Sequence, residues 1–259
     1  MLIEISGLVI KTVNLSDNDT LLTIFSAERG KITAVANGSR TLKSRYLAAT
    51  QLFCYSSFVL HQRGERFWVR EVSLIESFFD LRSELERTAL ASYFCDVDYD
   101  VVEENVKEPE LLRLTLNALY AICQGKHDLP KIKASFEMRA AAVLGFCPIL
   151  SHCANCGKND GNFILDVMNG TILCEDCRSI ADTVEVSVDE IRTARIICPL
   201  TEGALAAMRY VVTCPLERIF AFQIPASDMS CFEKATEKYL LNQLERGFGT
   251  LDFYKQIAP

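Results

Sequence analysis

The chain of 259 residues lacks several features that would identify common classes of protein. Its longest uncharged apolar stretch, residues 140–150, includes a glycine and a proline, whereas a membrane-spanning helix needs about 18 apolar residues or more. The N-terminus carries Glu4 where a signal peptide would be basic, and no small-residue cleavage pattern follows it. Seven prolines and twelve glycines exclude a low-complexity chain. We therefore expect a soluble cytoplasmic protein with no membrane partner.

Catalytic patterns are also missing. There are only three histidines, and the sequence contains no HExxH, GxSxG, Walker loop or strand-linked GxGxxG pattern. The carboxylates of residues 96–104 are spaced as exposed helical faces, and Asp96-x-Asp98-x-Asp100 lacks the glycine and distal glutamate of a calcium loop. We therefore predict that the protein is not an enzyme and has no small-molecule substrate.

Eleven cysteines divide into two groups. Seven are scattered through apolar segments, where free cysteine behaves as a small buried hydrophobe. The other four follow the spacing C-x2-C-x17-C-x2-C, which predicts one structural zinc per chain bound by Cys153, Cys156, Cys174 and Cys177. Residues 163–167 and 171–173 read as the hairpin that carries the second pair. Two disulfides or inert thiols are the alternatives, and His152 is either an unused neighbour or a substitute ligand.

The charge is unevenly distributed along the chain. The net charge is −7, yet residues 1–80 carry +1 and the remainder carries −8. Residues 29–64 contain no acid at all, although the average of 34 acids in 259 residues predicts about five there. This segment predicts either a basic surface on an acidic protein or a solvated face without a ligand.

Hydrophobic periodicity divides the chain into two domains. Five runs in residues 1–79 (2–13, 21–27, 31–37, 52–61 and 66–75) are typical of strands. A long connection after the third run favours an OB-fold barrel, although an SH3-like barrel or a small sandwich would give a similar pattern. Residues 80–259 predict a helical domain with a zinc ribbon inserted at 150–182. Its helices are expected over 81–106, 110–123, 131–146, 187–197, 202–212 and 230–246.

Two groups of motifs carry a resemblance to a known family. The first comprises Gly7-Leu-Val-Ile, residues 21–31, Ala36-Asn-Gly-Ser-Arg40 and Lys43-Ser44-Arg45. The second comprises Phe136-Glu-Met-Arg139, Gly145-Phe-Cys-Pro148 and the four paired cysteines. In order and spacing these motifs resemble the bacterial RecO family of recombination mediators. The resemblance covers most of the chain to about residue 180 and is vague in the C-terminal helices.

The resemblance implies an α+β protein: an N-terminal OB-fold barrel, then a helical domain with a four-cysteine zinc ribbon. It also implies DNA repair and recombination by binding single- and double-stranded DNA, annealing complementary strands and loading RecA onto strands coated by single-strand-binding protein. The partners implied are RecR and the C-terminal tail of that coating protein, and the location is the cytoplasm at the nucleoid. The sequence departs from the family where Asn37 replaces a common lysine and where Asn18-Asp19 stands for a Ser-Glu pair.

The predicted DNA contact centres on the connection after the third strand. Several cations there can follow a phosphate backbone, and nothing in the segment offers geometry for reading base edges. We predict contacts from Arg40, Lys43 and Arg45, with Arg29 and Lys31 alongside. Rings of residues 46, 53, 55, 67 and 68 either stack on bases or fill the barrel. The alternative function is a zinc-ribbon adaptor of transcription or translation that binds RNA or a protein.

Overall fold

A computed structural model describes residues 1–41, 44, 46–178 and 196–258. The chain forms two compact units: Met1–Lys126 with the C-terminal segment from Phe248, and His127–Gly247. None of the helices in the described ranges is both long enough and apolar enough to cross a membrane. The domain boundary predicted between residues 79 and 80 stays a prediction, because a compact unit is not necessarily an independently folding domain.

The first unit contains a closed five-stranded barrel, which confirms the OB-type prediction. The strands, in the spatial order β1-β2-β3-β5-β4, are β1 (Leu2–Asn14), β2 (Thr20–Ser26), β3 (Gly30–Ala36), β4 (Tyr55–Arg63) and β5 (Arg66–Glu76). A short parallel pairing of β3 with β5 closes the barrel, and the other pairs are antiparallel. The fourth strand begins three residues later than predicted, because residues 52–54 belong to the preceding loop.

Strand β1 is long enough to pair with two neighbours. It pairs with β4 from Leu2 to Leu8 and with β2 from Gly7 to Asn14, with a register shift between Val9 and Lys11. At Gly7 the strands approach so closely that a Cβ atom would lie 2.4 Å from Ile24 Cγ2 and 2.8 Å from the carbonyl oxygen of Phe25. Glycine is therefore required where β1 passes from one partner to the other.

The interior of the barrel is filled by aliphatic side chains and by Phe58, which is fully buried. Phe67 and Val69 pack on this core, so alternation along β5 directs Trp68 to the opposite face. Phe53 is buried as well. Of the rings considered as stacking platforms, Phe53 and Phe67 are therefore part of the packing.

Three helices accompany the barrel in the first unit. They are α1 (Leu85–Val101), α2 (Pro109–Gln124) and α6 (Gly249–Ile257). The helix predicted over 81–106 is shorter at both ends, since a 3-10 turn (Phe79–Arg82) precedes it and Val102 is extended. The sequence did not predict α6, where two nearby glycines favoured a turn. A hydrogen bond from Thr250 Oγ1 to Asp96 Oδ2, 2.8 Å long, ties α6 to α1.

In its described residues the second unit combines three long helices with a four-stranded sheet, and residues 175–178 form a helical turn after β8. The helices are α3 (Leu129–Val143), α4 (Glu202–Thr213) and α5 (Ala226–Gln243). The sheet, in the order β6-β8-β7-β9, comprises β6 (Ile149–Cys153), β7 (Phe163–Asp166), β8 (Thr171–Cys174) and β9 (Ile197–Leu200). The predicted hairpin is β7–β8, so that prediction is confirmed. The helix predicted over 187–197 lies outside the described residues except at its end, where Ile197 begins β9.

A buried ionic cluster joins α3 to α5. The Lys133 Nζ atom lies 2.9 Å from Glu137 Oε1 and 2.7 Å from Glu237 Oε2. Thr236 Oγ1 donates a 3.0 Å hydrogen bond to the second oxygen of Glu137. Burial alone would lower the pKa of Lys133, but the two carboxylates outweigh it and raise that pKa. Removal of one partner would leave a buried charge uncompensated, so the cluster holds the two helices in register.

Asp98 differs from its expected exposed position, because this α1 carboxylate is completely buried. Thr115 Oγ1 donates a 3.1 Å hydrogen bond to Oδ1, and Oδ2 has no hydrogen-bond partner among the described residues. Burial raises the pKa of Asp98 well above its usual value, and the Thr115 hydrogen bond offsets only part of this effect. The folded chain therefore binds a proton here that the unfolded chain releases.

We expect the substitution Asp98→Asn to stabilise the protein increasingly as pH rises. Above pH 4 the unfolded wild-type chain loses the Asp98 proton while the folded chain keeps it, so the free energy of unfolding falls as pH rises toward the raised pKa. The asparagine amide does not titrate, so the variant lacks this loss of stability. Urea unfolding at several pH values should show the variant gaining up to about 1.4 kcal/mol per pH unit over wild type in this window. The exposed control Asp17→Asn should show a constant difference, and a constant difference for Asp98→Asn would contradict the assignment.

Candidate metal centre and nucleic-acid interface

The four paired cysteines converge in the second unit. Cys153 ends β6 and Cys174 ends β8, and each pair is completed by a cysteine three residues further along the chain. Their four Sγ atoms all lie within 4.8 Å of one another. In the first pair the N–H of Gly157 donates to the carbonyl of Cys153 at 2.9 Å, and Gly157 has a φ of +76°, in the left-handed region that favours glycine. The turn therefore depends on glycine to bring both sulfurs to one side.

The chemistry of this cluster fits a tetrahedral thiophilic metal. Cys156 Sγ lies 3.7 Å from Cys174 Sγ, and sulfurs about 2.3 Å from a zinc ion in a tetrahedron are about 3.8 Å apart. Burial favours the neutral Cys153 thiol, but N–H donors led by that of Cys174 (3.4 Å from Cys153 Sγ) lower the pKa of Cys153 to about 6. Four thiolates at such short separations repel one another strongly, so a cation is needed for all four to ionise together.

His152 lies beside the cluster in sequence but does not join it. The group of candidate ligand atoms consists of the four cysteine sulfurs. The His152 ring instead pairs with its neighbour, with Ser151 Oγ 2.8 Å from His152 Nδ1. The exposed pair Lys158–Asp176, 3.8 Å apart, connects the two cysteine turns. Four sulfurs would complete the coordination of a zinc ion and leave no open position for a reactive water.

Arg29 and Lys31 lie at the start of β3, and Lys31 is engaged within the first unit. Its Nζ donates a 2.7 Å hydrogen bond to the carbonyl of Tyr99 and lies 4.7 Å from the centre of that ring. Lys11 Nζ lies 3.8 Å from the same ring centre. Two cations therefore share one aromatic ring of α1, an arrangement that stabilises the contact between helix and barrel.

Arg40 lies beyond the other end of β3 and is exposed. Its Nη1 donates a 2.8 Å hydrogen bond to the carbonyl of Ser16, and its backbone N–H donates to the carbonyl of Asn18 at 3.1 Å. These bonds attach Arg40 to the β1–β2 turn. Arg40 lines a cleft of about 280 Å³ that also includes Arg82, from the turn before α1.

The structure thus separates the predicted cations into two places. Strand β3 has seven residues, so Arg29 and Lys31 lie about 20 Å from its far end, which leads to Arg40. Lys43 and Arg45 lie outside the described residues. Arg82 is a cation in the cleft that sequence reasoning missed, and no local pattern marks it, since it follows Asp80 in a stretch expected to be an ordinary helix.

Comparison with known proteins relates both regions to one family. Residues 1–78 match the family model "Recombination protein O N terminal", and residues 82–252 match "Recombination protein O C terminal". A curated protein of Acetivibrio thermocellus named DNA repair protein RecO is 34% identical over 98% of this chain and 97% of that protein. One of the same name from Alkaliphilus metalliredigens is 26% identical over 99% of this chain and 100% of that protein.

The chain belongs to the RecO family of DNA repair proteins. The two RecO models together include the barrel, the four-cysteine cluster and the helices α1–α5, so the resemblance inferred from the sequence motifs is confirmed. They also extend over the C-terminal helices, in which the motifs were vague. A RecO chain with this architecture offers one cluster that could bind a metal and one barrel whose arginines border an open cleft.

Proposed function

We propose that this RecO chain is a non-catalytic mediator of DNA repair and homologous recombination. It binds single- and double-stranded DNA, anneals complementary strands and helps to load RecA onto strands coated by single-strand-binding protein. The observation that carries this proposal is the match of both family models, which together extend from residue 1 to residue 252. The barrel domain, residues 1–79, binds the nucleic acid, and residues 80–259 form the helical domain.

The DNA contact centres on Arg40, Lys43 and Arg45, with Arg29 and Lys31 contributing at the other end of β3. Arginine and lysine bind phosphates without reading sequence, so affinity is nearly independent of the bases. The exposed position of Arg40 beside the cleft supports this proposal. Lys31 contributes less to the contact than Arg40, because its Nζ is already bonded to the carbonyl of Tyr99.

The partners of the proposed function are DNA, RecR and the C-terminal tail of single-strand-binding protein, in the cytoplasm at the nucleoid. One structural zinc per chain is bound by Cys153, Cys156, Cys174 and Cys177. When bound, the metal would cross-link the turns that follow β6 and β8. It would have no open coordination position for a reactive water. The short sulfur–sulfur distances support this assignment.

Strand annealing tests the function most directly. We expect the purified wild-type protein, without nucleotide, to accelerate pairing of two complementary oligonucleotides, one labelled with a donor and the other with an acceptor fluorophore. Neutralised phosphates on both strands repel less, which lowers the barrier to encounter. A protein that binds RNA but leaves annealing unchanged would instead favour the adaptor function, and a requirement for nucleotide hydrolysis would indicate an enzyme.

The zinc assignment is tested by Cys174→Ser. We expect elemental analysis to find one zinc per wild-type chain and much less in the variant, whose ribbon should become sensitive to proteolysis because metal binding contributes folding free energy. DNA affinity should persist, since the ligands lie outside the barrel. Cys147→Ser, which replaces an exposed cysteine outside the cluster, should retain the metal. Wild-type protein purified without chelators under reducing conditions and free of metal would refute the assignment.

The DNA contact is tested by replacing Arg40, Lys43 and Arg45 together with alanine. Each phosphate contact contributes about −0.7 to the slope of log K against log salt concentration on single strands, so the slope should become shallower by about two. Fluorescence anisotropy over a salt series measures this slope.

The control removes two charges from the β4–β5 hairpin, as Arg63→Ala and Arg66→Ala. These two residues are exposed and pair with each other at the hairpin turn, level with the first residues of β1. The control should keep the wild-type slope. Wild-type affinity and slope in the first triple variant would place the DNA contact elsewhere.

A further inference from the structure

A polar cleft lies at the end of the barrel where β1 turns into β2. Its volume is about 280 Å³, slightly below the range of roughly 300–1,000 Å³ common for small-molecule pockets, which are mostly apolar. Two arginines and two leucines accompany six neutral polar residues, and no acid is among the described residues that line it. The lining residues are Thr12, Asn14, Thr20, Ser39, Arg40, Leu47, Thr50, Gln51, Leu52 and Arg82. Such a lining suits an anion bearing polar substituents.

Arg82 is held at one side of this cleft by the backbone. Its Nη2 donates a 2.7 Å hydrogen bond to the carbonyl of Leu52, and Nη1 donates a 3.4 Å bond to the carbonyl of Ser77. The guanidinium carbon lies 5.9 Å from the centre of the Phe53 ring. A guanidinium has five N–H donors, and in the described part of the chain Arg82 directs two of them to carbonyls and also bonds to the Cys54 thiol. The others are available to an anion.

Arg40 also borders the cleft and is fixed by its bond to the Ser16 carbonyl. Within the described residues this is the single hydrogen bond that its side chain makes, so most of its donors are also available. Two guanidinium groups attached to different loops thus border one space. Planar guanidinium groups match the geometry of phosphate oxygens better than other cations do.

The loop beneath Arg82 is strained in a way that fixes the cleft. Phe53 is buried with a φ of +70°, which is uncommon for a residue other than glycine. Val9 holds this conformation: its carbonyl accepts from the N–H of Phe53 and its N–H donates to the carbonyl of Cys54, each at 2.9 Å. Strained backbone held by surrounding structure is common at binding sites. Here the strained residue, Phe53, directly follows Leu52, whose carbonyl anchors Arg82.

We propose that this cleft binds a phosphodiester group of the nucleic-acid backbone between Arg40 and Arg82. Arg82 is then a binding residue outside the basic segment of residues 29–64. The neutral side chains of Asn14 and Gln51 contact the adjoining sugar and phosphate oxygens. The inference rests on the proposed DNA-binding function and names one position on the DNA path.

The test measures binding of a fluorescein-labelled oligothymidylate by anisotropy over a salt series, with Arg82→Gln, Arg40→Gln, the double variant and the control Arg66→Gln. Loss of one phosphate contact should lower affinity about fivefold at 0.1 M salt and make the slope shallower by about 0.7. Arg66 is exposed on the β4–β5 turn, at the other end of β1, and its variant should bind like wild type. Because both arginines hold one group, the double variant should lose less than the product of the single losses.

A purely structural role of Arg82 would lower the urea midpoint of Arg82→Gln and leave the salt slope unchanged, which would overturn the inference. Arg82→Lys covers the case in which the glutamine variant does not fold: it keeps the charge, and it should keep the salt slope while losing part of the affinity. If the loss of affinity in the double variant equals the product of the two single losses, the two arginines do not share one site and the inference is overturned.

The occupant is identified by competition with free deoxythymidine monophosphate. We expect no displacement of the oligothymidylate at micromolar concentrations, and efficient displacement would instead assign the cleft to a free nucleotide. Wild-type protein that binds no oligonucleotide would refute the proposed function itself. If the wild type binds the oligonucleotide and Arg82→Gln binds it with the same affinity and salt slope, the cleft alone is refuted.

Discussion

The barrel depends on the double pairing of β1. The first half of this strand completes the sheet with β4 and the second half with β2, and both pairings overlap at Gly7 and Leu8. Directly after this overlap, Val9 exchanges two backbone hydrogen bonds with Phe53 and Cys54, the residues that precede β4. The strand that closes the barrel therefore also fixes the loop whose Leu52 carbonyl holds Arg82. The pairing of β1 therefore determines both the closure of the barrel and the shape of the cleft.

Strand positions were predictable because alternation and turn residues are local signals. All five barrel strands and the β7–β8 hairpin fall within three residues of the predicted limits. Tertiary contacts are not encoded locally, and they account for the differences. Asp98 occupies a position that helical spacing assigned to solvent, yet α2 supplies Thr115 to it. Helix α6 forms where glycines favoured a turn, because it packs against α1 and bonds to Asp96.

The two candidate sites also differ in how far the sequence alone predicts them. The metal ligands lie in two turns whose spacing is visible in the sequence, so the structure needed only to bring the turns together. The cations of the barrel share a segment of sequence but not a location, because the length of β3 separates Arg29 from Arg40. Arg82 reaches the cleft through folding alone. A run of basic residues in the sequence therefore predicts that a positively charged surface exists. It does not predict which cations lie together on that surface.

The acidic character of the whole chain is compatible with a phosphate partner, because screening makes the contact local. At 0.1 M ionic strength exposed charges interact over about 10 Å, so an anion in the cleft responds mainly to Arg40, Arg82 and their close neighbours. The nearby carboxylate of Asp19 accepts a 2.8 Å hydrogen bond from the N–H of Gly38, and this bond disperses part of its charge. The −8 carried by residues 81–259 then disfavours phosphate over the rest of the chain. Under the proposed function, this imbalance favours nucleic acid at the barrel without requiring a basic protein.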